Sequence, residues 1–253
     1  MGFFRGPNII KEKLVQMVDA ANVKSYVTGS KIWTNLKDRS DSFCLINTPS
    51  FSTVSFNGAL TFASASNQYA SSSGTFIEEN FINNEDFTIG AFLKPTANSV
   101  GGNGRSAVYA NQRYKTEPSP GGFGLNIINN KYCLNLTEEN MLTGVTESFE
   151  SIAQMDIVSD VPQYITYTWN SGSSAVKAYK NGELIETSTN SNYAWTTSSS
   201  SPQPVHPRMA LSTQGGWGNY FGADYYHFHL YKKTLSDNEV NQNYNALKAR
   251  FNL

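Results

Sequence analysis

His227 and His229 are the first residues whose types and spacing could do chemistry. Two apart in an extended segment, they would share one face of a sheet. With Asp224 just upstream and His206 elsewhere, they could hold zinc if further ligands converged. The alternative is that they stand among Tyr225 and Tyr231 on a partly exposed sheet surface. The acidic residues offer a second chemistry. Glycoside hydrolysis needs two carboxylates that face each other across the scissile bond. The pairs Glu78-Glu79, Glu85-Asp86 and Glu138-Glu139, with Glu147 and Glu150, are adjacent or loop-spaced. Adjacent residues in a strand point to opposite faces, so these read as surface charge and no catalytic residues are expected. A third chemistry is stacking on sugar rings. Trp217 and Tyr220 lie among glycines in Gln214-Gly-Gly-Trp-Gly-Asn-Tyr-Phe-Gly222, and Tyr193 and Trp195 form a second cluster. Ring faces there could meet sugar C–H groups, with Asn219 holding hydroxyls; alternatively these rings cap a core, since Trp is highly buried on average.

Bulk properties narrow the field. Only 15% of the 253 residues are charged and the net charge is -1. No basic stripe interleaved with aromatics stands out, which argues against nucleic-acid binding. Cys44 and Cys133 match no metal or redox spacing and are expected as two buried thiols. No apolar run approaches membrane-spanning length, and Met1–Pro7 does not read as an export signal. Synthesis in a cytosol without a visible export signal, and no membrane partner, are therefore expected.

The elements that must position these groups are mostly strands. Lys13–Asp19, Ser55–Phe62, Phe87–Leu93, Gln163–Trp169, Met209–Ser212 and Tyr225–Lys232 are β-rich or alternating runs. Gly122–Ile128 and Lys131–Leu136 pair across Asn129-Asn130. The Asn181-Gly182 step inside Val176–Glu186 predicts a type I′ hairpin, whose two central residues need positive φ. A helix is predicted over about 236–250. Ser236 and Glu239 form a capping box, and Val240, Tyr244, Leu247 and Phe251 recur at helical spacing. The reading is one domain over 13–253 behind an N-terminal arm, 1–12.

These motifs in this order resemble the concanavalin A-like lectin/glucanase superfamily, in particular its laminin-G-like (LamG) jelly-roll domains. The residues that carry it are Leu14 through Asp19-Ala-Ala-Asn-Val-Lys-Ser-Tyr26, Trp33-Thr-Asn-Leu36, Phe56-Asn-Gly58, Phe87–Pro95, Val176–Leu184 and Leu230–Ser236 with the terminal helix. Gly6-Pro-Asn-Ile9 and Gln242–Phe251 are similar to the versions found in tailed-bacteriophage structural proteins. The resemblance implies an all-β fold: a two-sheet antiparallel jelly-roll sandwich with a short C-terminal helix. Many such domains hold a structural calcium. Here Ala63 follows Phe62 where an acid is common, which removes an oxygen ligand; no cofactor is expected, with a structural calcium the one alternative that the resemblance leaves open.

Two roles follow as expectations. One is a non-enzymatic structural protein at the virion surface, a capsid decoration or a head or tail fibre module. Its partners would be the major capsid or fibre proteins, or further copies of itself as a homo-oligomer. Attachment would run through Phe3, Phe4, Arg5, Pro7 and Ile9 of the arm. The other is a lectin or adsorption protein that binds surface glycans through Trp217, Tyr220, Trp195, Tyr193 and Asn219. A glycoside hydrolase is the third and least supported class.

Overall fold

A computed structural model describes residues 8–53, 58–72, 81, 84–96, 105–113, 121–140, 145–195, 206–211 and 219–251, with the backbone alone at 105, 112–113, 121, 138–140, 145–150 and 249–251. The described residues form two antiparallel sheets and one α-helix. The strands are β1 (Leu14–Asp19), β2 (Ile32–Trp33), β3 (Phe43–Ile46), β4 (Ser50–Ser52), β5 (Ala59–Phe62), β6 (Tyr69–Ser72), β7 (Phe87–Pro95) and β8 (Arg105–Arg113). They continue with β9 (Gly121–Ile128), β10 (Lys131–Asn140), β11 (Val145–Asp156), β12 (Gln163–Asn170), β13 (Ala175–Lys180), β14 (Glu183–Thr189), β15 (Arg208–Met209) and β16 (Ala223–Tyr231); the helix, α1, is Asp237–Phe251. Sheet I runs β14-β13-β12-β7-β16-β5-β4, with β1 also on β16, and sheet II runs β11-β10-β9-β8-β15-β6-β3-β2. The architecture is the expected jelly-roll sandwich.

Local chemistry sets the hairpins. Asn129 and Asn130 have φ of 52° and 61°, and Asn181 and Gly182 have 53° and 82°, as two-residue type I′ turns require. Aromatic rings join the sheets. Phe87 of sheet I stacks on Phe123 of sheet II at 4.0 Å, and Phe228 on Tyr109 at 4.8 Å. Two buried tyrosines cross the core and donate to carbonyls of the opposite sheet, Tyr167 to Ala153 (2.8 Å) and Tyr225 to Val108 (3.0 Å). Each thereby satisfies a hydroxyl that would be costly to bury alone.

The outer face of the middle of sheet I, at β12, β7 and β16, is buried too, under α1 and the N-terminal segment. On β12 the more polar face, Tyr164, Thr166 and Thr168, is therefore covered as fully as the apolar one. Val240 packs with Leu14, Tyr179, Tyr231 and Leu235, and Leu247 with Phe92, Tyr164 and Tyr226. Burying such a side chain contributes about 1.5–3 kcal/mol. Tyr244 stacks on Tyr164 at 5.9 Å and lies over the Asn181-Gly182 turn, where a Cβ on Gly182 would come within 2.9 Å of its ring. The capping box forms: Glu239 N–H donates to Ser236 Oγ (3.3 Å) and Ser236 N–H to Glu239 Oε2 (2.9 Å).

Ile9 is not on a free arm, contrary to the expectation. Ile9 and Ile10 pack against the clusters under α1. Ile10 N–H donates to Asn243 Oδ1 (2.7 Å), Asn243 Nδ2 and Ile10 O both meet the Tyr231 hydroxyl (3.0 and 2.9 Å), and Gln242 donates to Asn8 O (2.8 Å). The apolar pair Ile9-Ile10 follows the helix because Asn243 satisfies its backbone.

Beneath this cover runs a chain of buried polar groups, Asp19, His227, His229 and Tyr164. His227 Nδ1 is 3.7 Å from Asp19, His227 Nε2 is 3.2 Å from His229 Nδ1, and His229 Nε2 is 3.1 Å from the Tyr164 hydroxyl. A bulge in β16 between Tyr225 and His227 puts both imidazoles on this outer face. Gly90 leaves room for them, since a Cβ there would strike His229 Nε2. The two hydrogen bonds of His229 each need one donor and one acceptor, which neutral imidazoles supply; the 3.7 Å approach of His227 Nδ1 to Asp19 is too long to be a third. Burial, and then the neighbouring His227, hold the His229 pKa well below the usual imidazole value. A folded-state pKa below the unfolded one means that the unfolded chain binds more protons. Stability is then complete above about pH 6.5 and is lost as pH falls from there toward the folded value, by about 1.4 kcal/mol per unit of separation. Melting temperature followed from neutral to mildly acidic pH should therefore drop more steeply for the native chain than for His229→Gln; parallel curves would remove His229 from the acid response.

Candidate functional site

The structure disperses much of what the sequence grouped. His227 and His229 are buried, 1% and 0% exposed, rather than lying on a partly exposed surface, because the chain ends close over them. Asp224 is not beside them: it ion-pairs with Lys94 (2.9 Å) and accepts from Thr61 Oγ1 (2.6 Å). Among the described residues no three His, Cys, Asp or Glu side chains are placed to hold a metal ion.

Trp195 is a core residue, 0% exposed, packed edge-on against Phe81, Phe87 and Phe123 and donating from Nε1 to Glu85 O (3.2 Å). It is no platform for a sugar. Tyr193 leans on the core and its hydroxyl meets Ser188 Oγ at 3.1 Å. Asn219 is 7% exposed. Trp217, Phe3, Phe4, Arg5 and Pro7 lie outside the described residues. Of the acids, Glu85 pairs with Lys232 (3.1 Å), and Asp86 accepts from Ser171 N–H, Ser171 Oγ and Thr234 Oγ1. That carboxylate ties the start of β7 to the 171–174 turn. Glu138 and Glu147 sit opposite each other on β10 and β11, and Glu78 and Glu79 lie outside the described residues. Cys133 is buried as expected, but Cys44 is exposed. Alternation in β3 sends Phe43 and Leu45 into the core and Cys44 outward.

One predicted sugar-stacking residue does stand at a surface rim. Tyr220 is half-buried and forms an antiparallel bridge with Leu211, reinforced by Phe221 N–H donating to Ala210 O at 2.9 Å. Across from Tyr220, Tyr69 opens β6 and faces outward because Ala70 is in the core. The two rings lie 6.1 Å apart at a 46° tilt. Side-chain amides lock the turns around them. Gln68 accepts from Ala63 N–H (2.8 Å) and donates to Asn47 O and Thr48 O (3.0 and 3.1 Å), while Asn47 Nδ2 donates to Asn67 O (2.8 Å). Asn47, Thr48 and Asn67 all have positive φ, conformations that Asn tolerates better than most residues. The result is a firm polar rim around two half-exposed aromatic rings, an arrangement suited to stacking ligands with mixed apolar and hydroxylated faces. Tyr69 was not singled out in the sequence, because Tyr-Ala-Ser-Ser is a weak strand signal.

The family model described as concanavalin A-like lectin/glucanases superfamily, Laminin_G_3, matches residues 64–241. No curated protein matches the chain significantly. Among solved structures, the chain is similar to the receptor-binding domain of botulinum neurotoxin mosaic serotype C/D, with TM-score 0.61 and 11% identity over 92% of this chain and 50% of that one. It is also similar to the binding domain of Paraclostridial Mosquitocidal Protein 1, with TM-score 0.60 and 14% identity over 92% and 52%. A third, the binding domain of botulinum neurotoxin DC in complex with SialylT, gives TM-score 0.60 and 10% identity over 93% and 52%. The chain thus spans about half the length of these structures, and at such identities the likeness is one of fold. With the family model covering most of its two sheets, the chain belongs to the laminin-G-like group of the concanavalin A-like lectin/glucanase superfamily.

Proposed function

We propose that the chain is a non-enzymatic recognition module that binds carbohydrate at the Tyr69–Tyr220 rim and is displayed on the surface of a tailed-phage particle. The observation that carries the reading is the pair of half-exposed rings on a rim pinned by Gln68 and Asn47. The non-enzymatic part is supported by Glu85 and Asp86, whose carboxylates are spent on Lys232, Ser171 and Thr234. The binding domain of botulinum neurotoxin DC, about half of which shares this fold, is seen in complex with SialylT and in complex with rat synaptotagmin II, which supports a recognition reading.

The virion part rests on the sequence likeness at the two ends. Its partners would be capsid or fibre proteins, or further copies of this chain. The anchoring of Asn8–Ile10 on α1 fits attachment through the preceding residues, Phe3, Phe4, Arg5 and Pro7. Trp217, seven residues or fewer from both halves of the Leu211–Tyr220 bridge, belongs to the same proposed glycan site.

Binding of the purified chain to an array of bacterial surface glycans tests the recognition claim. Tyr69→Ala and Tyr220→Ala should each lower affinity by about tenfold, as aromatic anchors at interfaces do, with melting temperature little changed. Unaltered binding in both variants would remove the rim from the site. Quantitative mass spectrometry of particles should find the chain in fixed stoichiometry to the capsid protein; its absence would contradict the virion assignment.

A further inference from the structure

Beside the tyrosine rim, on the same outer face of sheet II, lies a cleft of about 600 Å³ lined by Val23, Lys24, Ile32, Thr34, Arg39 and Cys44, among others. That size falls within the roughly 300–1,000 Å³ typical of ligand sites. The register places it next to the rim, since β3 pairs with β6 through Cys44↔Ser71 and Ile46↔Tyr69. The two features are thus one step of alternation apart along the same face.

The cleft's walls are tied together. Ser25 Oγ donates to Thr34 O and Thr34 N–H donates to Ser25 O, both at 2.7 Å, which joins the Val23-Lys24 turn to β2. Asn22 Oδ1 holds that turn by accepting from Lys24 N–H (3.0 Å). On the other side Asp38 caps a 3-10 turn, accepting from Ser40 N–H (3.0 Å), and Ser42 Oγ bridges Asn35 N–H and Arg39 O. Backbone hydrogen bonds from ordered turns thus fix where Lys24 and Arg39 begin.

The lining has a definite chemical character. Between Asn22 and Cys44 the basic residues are Lys24, Lys31, Lys37 and Arg39 against Asp38 and Asp41. Elsewhere on the described surface many lysines sit in ion pairs, such as Lys94 with Asp224, Lys177 with Asp237 and Lys233 with Glu12 and Glu239. Lys24 and Arg39 make no ion pair among the described residues, and the Asp38 carboxylate is turned to Ser40. The same lining carries two apolar side chains, Val23, 79% exposed, and Ile32, 49% exposed. A ligand that matches both halves carries an anionic group and an apolar face.

We infer that this cleft binds an acidic saccharide, a sugar bearing a carboxylate or sulfate, with Lys24 and Arg39 on the anion and Val23 and Ile32 against the C–H face. Charge-assisted hydrogen bonds from the guanidinium give the orientation. The inference deepens the carbohydrate reading above by naming the ligand's charge, and it adds a subsite that the tyrosines do not touch.

Cys44 supplies a readout independent of that reading. It is exposed in the cleft while Cys133, the other cysteine of the chain, is buried. Iodoacetamide labelling of Cys44 is followed in the full chain with oligogalacturonate, a sulfated oligosaccharide, a neutral oligosaccharide of equal length, and an acidic peptide as probes. The expected result is that one or both acidic saccharides slow labelling and bind at least about tenfold more tightly than the neutral one. The carboxylate and sulfate arms tell which anion is preferred. The advantage should weaken with salt and should disappear in Lys24→Gln/Arg39→Gln, whose melting temperature should match the native chain because both side chains are exposed. Equal binding of the neutral saccharide, or acidic-saccharide binding that survives the double variant, would overturn the inference. Binding that depends on Tyr69 and Tyr220 yet leaves Cys44 labelling unchanged would overturn it while leaving the proposed function intact. Protection by the acidic peptide alone would overturn it in favour of a protein partner.

Discussion

β16 is buried along its whole length on both faces, and this constraint organises the rest of the molecule. Its inner face carries Tyr225, Phe228 and Leu230 into the core, as a sandwich requires. Its outer face carries His227, His229 and Tyr231, which cannot be covered by hydrocarbon without losing hydrogen bonds worth about 1–3 kcal/mol each. The chain therefore covers them with groups that answer them. Tyr164 hydrogen-bonds His229, Asp19 stands 3.7 Å from His227 as a nearby carboxylate, and Asn243 and Ile10 close on Tyr231. Docking of both chain ends follows from that requirement as much as from the apolar stripe of α1. Apolar packing supplies most of the energy, while the polar contacts fix where the helix and the Ile9-Ile10 segment sit.

A sheet whose outer face is used up in this way leaves recognition to other surfaces. The β2, β3 and β6 side of sheet II is free for it: Cys44 is exposed, and Tyr69 and Ser71 are partly so. Turns on that side are held by side-chain amides and hydroxyls, namely Gln68, Asn47, Asn22, Asp38 and Ser42. Such turns give loop residues fixed positions before a ligand arrives, which lowers the ordering cost of binding. The rigidity comes from short polar residues, and the ligand contacts would come from the rings and cations they hold. This division of labour accounts for the Ser- and Asn-rich composition better than surface solvation alone.

Much of the scaffold was legible in the sequence. Asn-Gly and Asn-Asn steps announced their hairpins, Ser236 and Glu239 announced the helix start, and regular alternation announced β7, β12 and β13. Strands that escaped notice have specific physical reasons. β11 bends at Ser151 and Ala153, both with positive φ, and its register against β10 shifts twice, which destroys a period of two. β8 shifts between Ala107 and Tyr109. β2 and β4 are two and three residues long. The candidate sites were harder to see because burial is a tertiary property. Trp195 and Tyr220 look alike in sequence, each an aromatic in a polar stretch, yet one is sealed under Phe81 and the other stands at a rim. The histidine pair was visible as a pair, but its cover is assembled from α1, from Tyr164 on a neighbouring strand and from the N-terminal segment at the other end of the chain. Tyr69 and the Lys24–Arg39 cleft gave no local signal, since strand pairing between distant segments assembles them.

The central claim is that recognition uses the outer face of sheet II around β3 and β6. Hydrogen–deuterium exchange of the full chain, with and without a saturating oligosaccharide selected by binding, tests it most directly. The account predicts slowed exchange in the 22–25, 38–47 and 67–71 segments and around Tyr220, with α1 and β16 unchanged. Protection confined to α1, β14 or the 171–174 turn, with none at 38–47 and 67–71, would contradict it.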